Sequence, residues 1–279
     1  MVLAHRGDSF RAPENTLEAA RLGLDAGADG WELDVRLTRD GFPVVIHDES
    51  LARTTDAAQR FEGDPRGPSG FVVGEFTLAE IRELDAGSWF VDPSGGPRTS
   101  AGFGSGGRLT AAQRSEYASG RVRIPTLAEA LDWTSGVDWP VNVEIKPTTG
   151  DSDALVEAVL GAVRASGASH LVAVSSFDHE VVARVGAIEP GVATGALVSG
   201  PLDRPAEVLL RGLGADAIHA PAEAIGSVGP GGWGVPILVY TVNDAGPSGP
   251  AIRLAASGVS GLFTDDPACF RRRSVFIRS

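Results

Sequence analysis

His5-Arg6-Gly7, Glu32-Leu33-Asp34 and His47-Asp48 fall within the first 48 residues, and Glu144-Ile145-Lys146 repeats the acidic element much further along. Two histidines, three carboxylates and two cations on separate segments suit metal-assisted chemistry on a phosphate ester. A phosphodiester is an anion that repels nucleophiles. Hydrolysis therefore needs positive charge at the non-bridging oxygens and proton transfer at the attacking and leaving oxygens. Carboxylates around a divalent cation, with Arg6 and Lys146 beside it, meet the first need, and the His5/His47 pair meets the second.

Such residues work only if strands bring them together. Short β-rich runs alternate with helical patterns over most of the chain, which predicts parallel α/β units. The expected strands are Val2–Arg6, Gly30–Arg36, Val44–His47, Val141–Lys146, Leu171–Ser175, Val192–Leu197, Ala217–His219, Ile237–Val242 and Gly261–Thr264. With one of them accessory, these suit an eight-stranded (β/α)8 TIM barrel, although an open doubly wound sheet reads much the same. Asn15 or Thr16 is placed to cap a first helix. Thr77-Leu78-Ala79-Glu80 and Thr126-Leu127-Ala128-Glu129 have the form of capping boxes, and Ala154–Val163 and Arg204–Leu213 carry further helical patterns.

Within Gly30–Arg36, Trp31, Leu33 and Val35 alternate with Glu32, Asp34 and Arg36. In an antiparallel sheet the polar face would meet water; a parallel barrel strand is covered on both faces, so inward charges need partners. Val141–Lys146 repeats the alternation, with Asn142, Glu144 and Lys146 on one face. Two adjacent strands then aim Glu32, Asp34 and Glu144 into one volume. A hard cation, Ca2+ or Mg2+, relieves the repulsion, and the lack of a Cys/His cluster argues against zinc. Salt-bridged core acids are the structural alternative. Lys146 is the sole lysine among 24 basic residues and shares a face with Glu144, which favours a phosphate contact. His5 and His47 end strands, and strand ends form the catalytic face of such barrels. Arg6 is a phosphate-clamp candidate whose strand parity opposes that of His5 unless Gly7 lets the chain twist. Glu14 and Asn15 brace the site or cap the helix. His170, His179 and His219 lack comparable company and read as ordinary residues.

The 279 residues fit one barrel domain spanning 1–279, with about 49–123 as an insertion at its mouth. More than ninety residues separate His47 from Val141, rich in Gly, Pro and Ser around Glu62–Gly74 and Asp92–Gly107, too many for one crossover. Trp89, Phe90, Phe103 and Tyr117 there line a lid or form a local mini-core. A net charge of −12 argues against nucleic acid as a partner, while a small phosphorylated ligand remains compatible with local cations. Cys269 is the only cysteine, no signal peptide is evident, and no apolar run approaches the roughly 18 residues needed to span a bilayer; the expected location is the cytoplasm. Phe270-Arg271-Arg272-Arg273 and Arg278 read as a solvated tail. The oligomeric state is left open.

With these residues in view, the chain resembles the glycerophosphodiester phosphodiesterase family. His5-Arg6-Gly7, Pro13-Glu14-Asn15-Thr16, Glu32-Leu33-Asp34-Val35, His47-Asp48 followed by Leu51 and Arg53-Thr54-Thr55, and Glu144-Ile145-Lys146 match its hallmark segments in order. Weaker matches are Ser176-Phe177, Val239-Tyr240-Thr241-Val242-Asn243 and Thr264-Asp265-Asp266-Pro267. The resemblance implies a TIM barrel with an insertion after the second-strand region. It also implies His5 and His47 as acid/base residues, Glu32, Asp34 and Glu144 as ligands of a divalent cation, and Arg6 and Lys146 as phosphate contacts. Tyr240 stands where many relatives carry a tryptophan that packs over the substrate, which marks Tyr240 as a substrate-binding position. The expected reaction is cleavage of a glycerophosphodiester to glycerol 3-phosphate and an alcohol. A lysophospholipase-D-type activity with a cyclic phosphate product, and a non-catalytic phosphate-ligand binder, are the rival expectations.

Overall fold

The structure, a computed structural model, describes residues 1–92, 109–148, 150–200, 210–212, 214–225, 234–244, 246 and 249–271. Among these, nine strands form one sheet: β1 (Val2–His5), β2 (Gly30–Leu37), β3 (Pro43–Val45), β4 (Val141–Ile145), β5 (Val172–Ser176), β6 (Ala193–Leu197), β7 (Ala217–Pro221), β8 (Ile237–Tyr240) and β9 (Gly261–Thr264). The order β1-β9-β8-β7-β6-β5-β4-β2 closes through a β1–β2 pairing, and every pair in this ring is parallel. Helices pack between the strands, so the fold is the expected TIM barrel.

Local chemistry explains the boundaries. Thr16, rather than Asn15, caps helix Leu17–Asp25, its hydroxyl accepting from the Ala19 amide at 3.2 Å. Both expected capping boxes are present: Thr77 with Glu80 starts helix Leu78–Ile81, and Thr126 with Glu129 starts helix Leu127–Gly136. Helix Ser152–Ser166 buries Leu155, Val156, Val159, Leu160 and Val163 on one side, the spacing of a helix lying on a sheet. The outward faces of β2 and β4 complete that layer, with Trp31, Leu33, Val35, Val141, Val143 and Ile145 all buried. Of the expected Arg204–Leu213 helix, only 210–212 lie within the described residues.

Val44–His47 is corrected. β3 ends at Val45 and runs antiparallel to β2, pairing Val35 with Val45 and Leu37 with Pro43. His47 therefore does not sit at the end of a parallel barrel strand. The chain leaves the top of β2, turns back, and descends along it until the Ile46 amide donates to the Asp34 carbonyl at 2.9 Å. A hairpin return carries His47 to the cavity at the mouth of the barrel.

The segment between β3 and β4 holds a core of its own, with Val44, Ile46, Leu51, Phe76, Ile81, Leu84, Phe90, Tyr117 and Ile124 buried together. Phe90 and Tyr117 meet edge to face at 5.8 Å, and the Trp89 indole donates to the Ala86 carbonyl at 2.9 Å. These three side chains form the mini-core and do not line the central cavity, so the lid reading of them is set aside. Phe103 and the Arg272–Arg273 and Arg278 part of the tail lie outside the described residues.

Candidate active site

The inward face of β2 pairs with that of β4, Glu32 opposite Asn142 and Asp34 opposite Glu144, while His5 on β1 is opposite Glu32. Parity on paired parallel strands thus sends Glu32, Asp34 and Glu144 into the barrel mouth. One oxygen from each lies within 4.8 Å of the others, and all three residues are buried. Glu32 Oε1 and Asp34 Oδ1 are buried with no hydrogen-bond partner. Three buried carboxylates gathered this closely, with Glu32 Oε1 lacking any partner, are a poor end state for a protein interior and a good donor set for a hard divalent cation.

The cations are arranged around this cluster. Lys146 Nζ is hydrogen-bonded to Glu144 Oε1 and lies 3.3 Å from Asp34 Oδ1. Arg6 reaches the site because the backbone turns out of the strand there: φ is +57° at Arg6 and +78° at Gly7. A β-carbon on Gly7 would lie 2.4 Å from the Ala19 carbonyl carbon, so only glycine fits this bend. The turn overrides strand parity. The Arg6 amide donates to Glu32 Oε2 at 2.9 Å, and its guanidinium pairs with Glu14 at 2.8 Å and Asp34 at 3.2 Å.

Each catalytic-candidate imidazole is held through Nδ1 by a carboxylate. His5 Nδ1 is 2.6 Å from Asp265 Oδ1, and Asp265 in turn accepts from Asn243 Nδ2 at 2.7 Å and Ser9 Oγ at 3.2 Å. His47 Nδ1 is 2.6 Å from Asp48 Oδ1, and Asp48 is gripped by Arg53. This fixes ring orientation and leaves the Nε2 edge of each ring for other partners. His5 Nε2 lies 3.9 Å from Glu32.

Electrostatics follow the geometry. Burial, followed by repulsion from Asp34, pushes the Glu32 carboxyl well above the usual carboxylate range. Burial would also raise Asp34, but Lys146, Arg6 and the Asn15 amide outweigh it and hold Asp34 ionised. Burial and Arg6 act to lower His5, yet Glu32 and Asp265 prevail and its value is raised. Proximity to paired carboxylates would equally favour a bound cation.

These residues share one cavity of about 450 Å³ at the mouth of the barrel, lined by His5, Arg6, Glu32, His47, Glu144 and Lys146. Tyr240 lines it too. Its hydroxyl donates to the Val198 carbonyl and its ring meets Phe177 edge to face at 6.1 Å.

Comparison with known proteins settles the family. The model of the glycerophosphoryl diester phosphodiesterase family matches residues 5–269. The chain belongs to that family. It is 33% identical over 273 residues to a glycerophosphodiester phosphodiesterase of Caldanaerobacter subterraneus subsp. tengcongensis, covering 96% of this chain and 94% of the relative. Among solved structures, an Oleispira antarctica phosphodiesterase in complex with the product sn-glycerol-3-phosphate superposes with a TM-score of 0.76 at 28% identity, over 98% of this chain and 96% of the other. A glycerophosphodiester phosphodiesterase from Agrobacterium tumefaciens gives 0.70 at 26% identity, over 97% and 98%. The chain is an enzyme of the glycerophosphodiester phosphodiesterase class, built on the TIM barrel these relatives share.

Within this phosphodiesterase the structure brings together the site residues expected from sequence: His5, Arg6, Glu32, His47, Glu144, Lys146 and Tyr240 line the cavity, and the fully buried Asp34 shares the carboxylate cluster with Glu32 and Glu144. Sequence reasoning gave no role to Asp265, Asn243, Asp48 or Arg53, although all four stand in matched motifs. What assigns them is contact with the histidines and their carboxylates, across as many as 260 residues of chain. Glu14 and Asn15 are braces and not helix caps. Glu14 bridges Arg6 and Arg53, and Asn15 donates to Asp34 Oδ2 at 2.8 Å while its carbonyl accepts from the Asp34 amide at 3.2 Å. Arg36 braces as well, donating to the His47 carbonyl at 2.8 Å. His219, read from sequence as ordinary, lines the cavity. No described helix is long and apolar enough to cross a membrane.

Proposed function

We propose that this enzyme is a divalent-cation-dependent hydrolase that cleaves glycerophosphodiesters to glycerol 3-phosphate and an alcohol. The observation that carries the reading is the meeting, at one cavity, of three clustered carboxylates, with Glu32 Oε1 left without a partner, and two imidazoles each anchored at Nδ1 by an aspartate. Glu32, Asp34 and Glu144 would hold Ca2+ or Mg2+, whose charge, when bound, draws density from the phosphate's non-bridging oxygens. The product named for the Oleispira relative supports glycerol 3-phosphate as the phosphorylated product.

The chain's own residues do the rest. Arg6 and Lys146 neutralise the phosphate and orient it between the two histidines. One imidazole takes a proton from the attacking water through Nε2, and the other gives one to the leaving alkoxide. Asp265 and Asp48 favour the Nδ1–H tautomer and steady the imidazolium that forms in each role. Phe177 and Tyr240 stand at the rim, where the leaving alcohol departs.

The test is product analysis of glycerophosphocholine, glycerophosphoethanolamine and lysophosphatidylcholine with the wild-type enzyme and His47→Ala. The first two should yield glycerol 3-phosphate with choline or ethanolamine, and a correctly folded His47→Ala should show no turnover. A cyclic phosphate product would transfer the reading to a lysophospholipase-D-type reaction, and binding of glycerol 3-phosphate with no turnover of any diester would favour a non-catalytic binder.

A further inference from the structure

The cavity floor carries two buried polar side chains that the phosphate and proton chemistry does not use. His219 on β7 is 3% exposed and Asn142 on β4 is 4% exposed, and both line the cavity. Asn142 Nδ2 donates to Ser175 Oγ at 2.9 Å, but Asn142 Oδ1 and His219 Nδ1 have no hydrogen-bond partner. Buried polar atoms are normally satisfied, so a pair left open on the floor of a ligand cavity points to groups that enter with the ligand.

The floor is built around His219. In the closed ring, β7 lies four strands from β2 in either direction, so His219 stands across the barrel from the Glu32/Asp34 pair. Gly195 on β6 makes room for the imidazole, because a β-carbon there would come within 2.6 Å of the ring. Phe263 covers another side, with ring centres 5.1 Å apart. Burial pushes His219 down to about 4, so at neutral pH the ring is uncharged and offers one donor and one acceptor. An uncharged donor/acceptor suits a hydroxyl and gives a phosphate no charge to bind. Rim and floor differ in kind: Phe177 at the mouth is 46% exposed and lies 5.9 Å from Lys146 Nζ, beside the cations expected to hold phosphate.

We propose that His219, with Asn142, is a specificity-determining residue that receives the hydroxyls of the substrate's polyol arm. The glycerol moiety enters the barrel and the second alcohol stays at the rim. This rests on the phosphodiesterase reading above and adds a direction to the substrate: the vicinal-diol end is read inside the barrel, at His219 and Asn142.

The experiment compares glycerophosphocholine with ethylphosphocholine, which has the same headgroup and no hydroxyls, as substrates of wild type, His219→Phe and His219→Asn. The ratio of kcat/KM for the two diesters should fall about tenfold in His219→Phe, chiefly through KM of the glycerol ester, and recover in part in His219→Asn. An unchanged ratio overturns the assignment, including the case in which both substrates lose activity equally, as a purely structural role would produce. If circular dichroism shows that His219→Phe does not fold, the decision passes to calorimetry on the wild-type enzyme and His219→Asn with glycerol 3-phosphate and ethyl phosphate. A preference for the former in wild type that falls in His219→Asn supports the assignment, and equal affinity in wild type, or a preference unchanged in His219→Asn, overturns it. That comparison needs no turnover, so a failure of the hydrolase reading and a failure of the His219 assignment remain distinguishable.

Discussion

Glu14→Gln probes the brace that connects the phosphate side of the site to the His47 side. Glu14 Oε1 is 2.8 Å from Arg6 Nη1 and 2.7 Å from Arg53 Nη2, and the glutamate side chain is 2% exposed. Arg53 continues the chain to Asp48 and thence to His47, and Arg6 to Asp34. Glutamine keeps the volume and removes the charge, leaving two guanidinium groups with one carboxylate fewer. Removing one partner of a buried ion pair costs roughly 3–5 kcal/mol, and the remaining partners Asp34 and Asp48 place this case near the lower bound. At about 2–4 °C per kcal/mol for a chain of this size, thermal unfolding should begin roughly 6–12 °C lower at pH 7. Release of Arg6 by even about 1 Å should lower kcat/KM on the order of a hundredfold. The pH dependence supplies a signature. Burial acts to raise the Glu14 carboxyl, but Arg6 and Arg53 outweigh it and the folded value is depressed. Its contribution is therefore complete above the unfolded value of about 4.3 and is lost as pH falls through the folded value, so the gap between wild type and variant should close only below about pH 4. Calorimetric scans between pH 3 and 8 measure this, with Glu83→Gln as control because its pair with Arg60 is exposed. A gap under about 2 °C at pH 7, or one that stays constant to pH 3, would refute the brace.

Asp265→Asn should lower kcat by about 10²–10⁴ with little change in KM, because the His5 ring loses the carboxylate that orients it; steady-state kinetics showing a loss under about threefold would remove Asp265 from the account. Phe90→Ala should destabilise the protein by about 3–5 kcal/mol without changing the KM ratio among headgroups, as a mini-core residue must and a lid residue would not. Metal and pH should interact. The raised Glu32 value means that, without a cation, its stabilising proton is fully present below the unfolded carboxylate value and is lost as pH rises through the folded one. A divalent cation replaces that proton, so the rise in unfolding temperature on adding Ca2+ or Mg2+ should be larger at pH 8 than at pH 5, and an equal or reversed effect in scanning fluorimetry would contradict it.

What could be read from sequence was the part governed by local rules. Strand parity correctly gathered Glu32, Asp34 and Glu144, because on paired parallel strands a two-residue period fixes the face. Capping boxes fixed two helix starts for the same reason, being complete within four residues. Parity failed at Arg6, where a left-handed turn sends the side chain inward, although the adjacent Gly7 carried the hint. His47 was placed at the catalytic face by a rule for parallel strands, and it arrives by an antiparallel return that no local pattern announces. Asp265, Asn243 and Arg53 act through partners distant in sequence, and His219 shows its character only once the barrel closes around it.

Phosphorus NMR decides whether this cavity hydrolyses a glycerophosphodiester with a cation held by Glu32, Asp34 and Glu144. Glycerophosphocholine is followed with EDTA-stripped enzyme before and after adding Mg2+ or Ca2+. The stripped enzyme should show no reaction, and the diester signal should convert to that of glycerol 3-phosphate once the cation is restored. Undiminished turnover by the stripped enzyme, or a diester signal that persists with every cation, would contradict cation-dependent hydrolysis at this site.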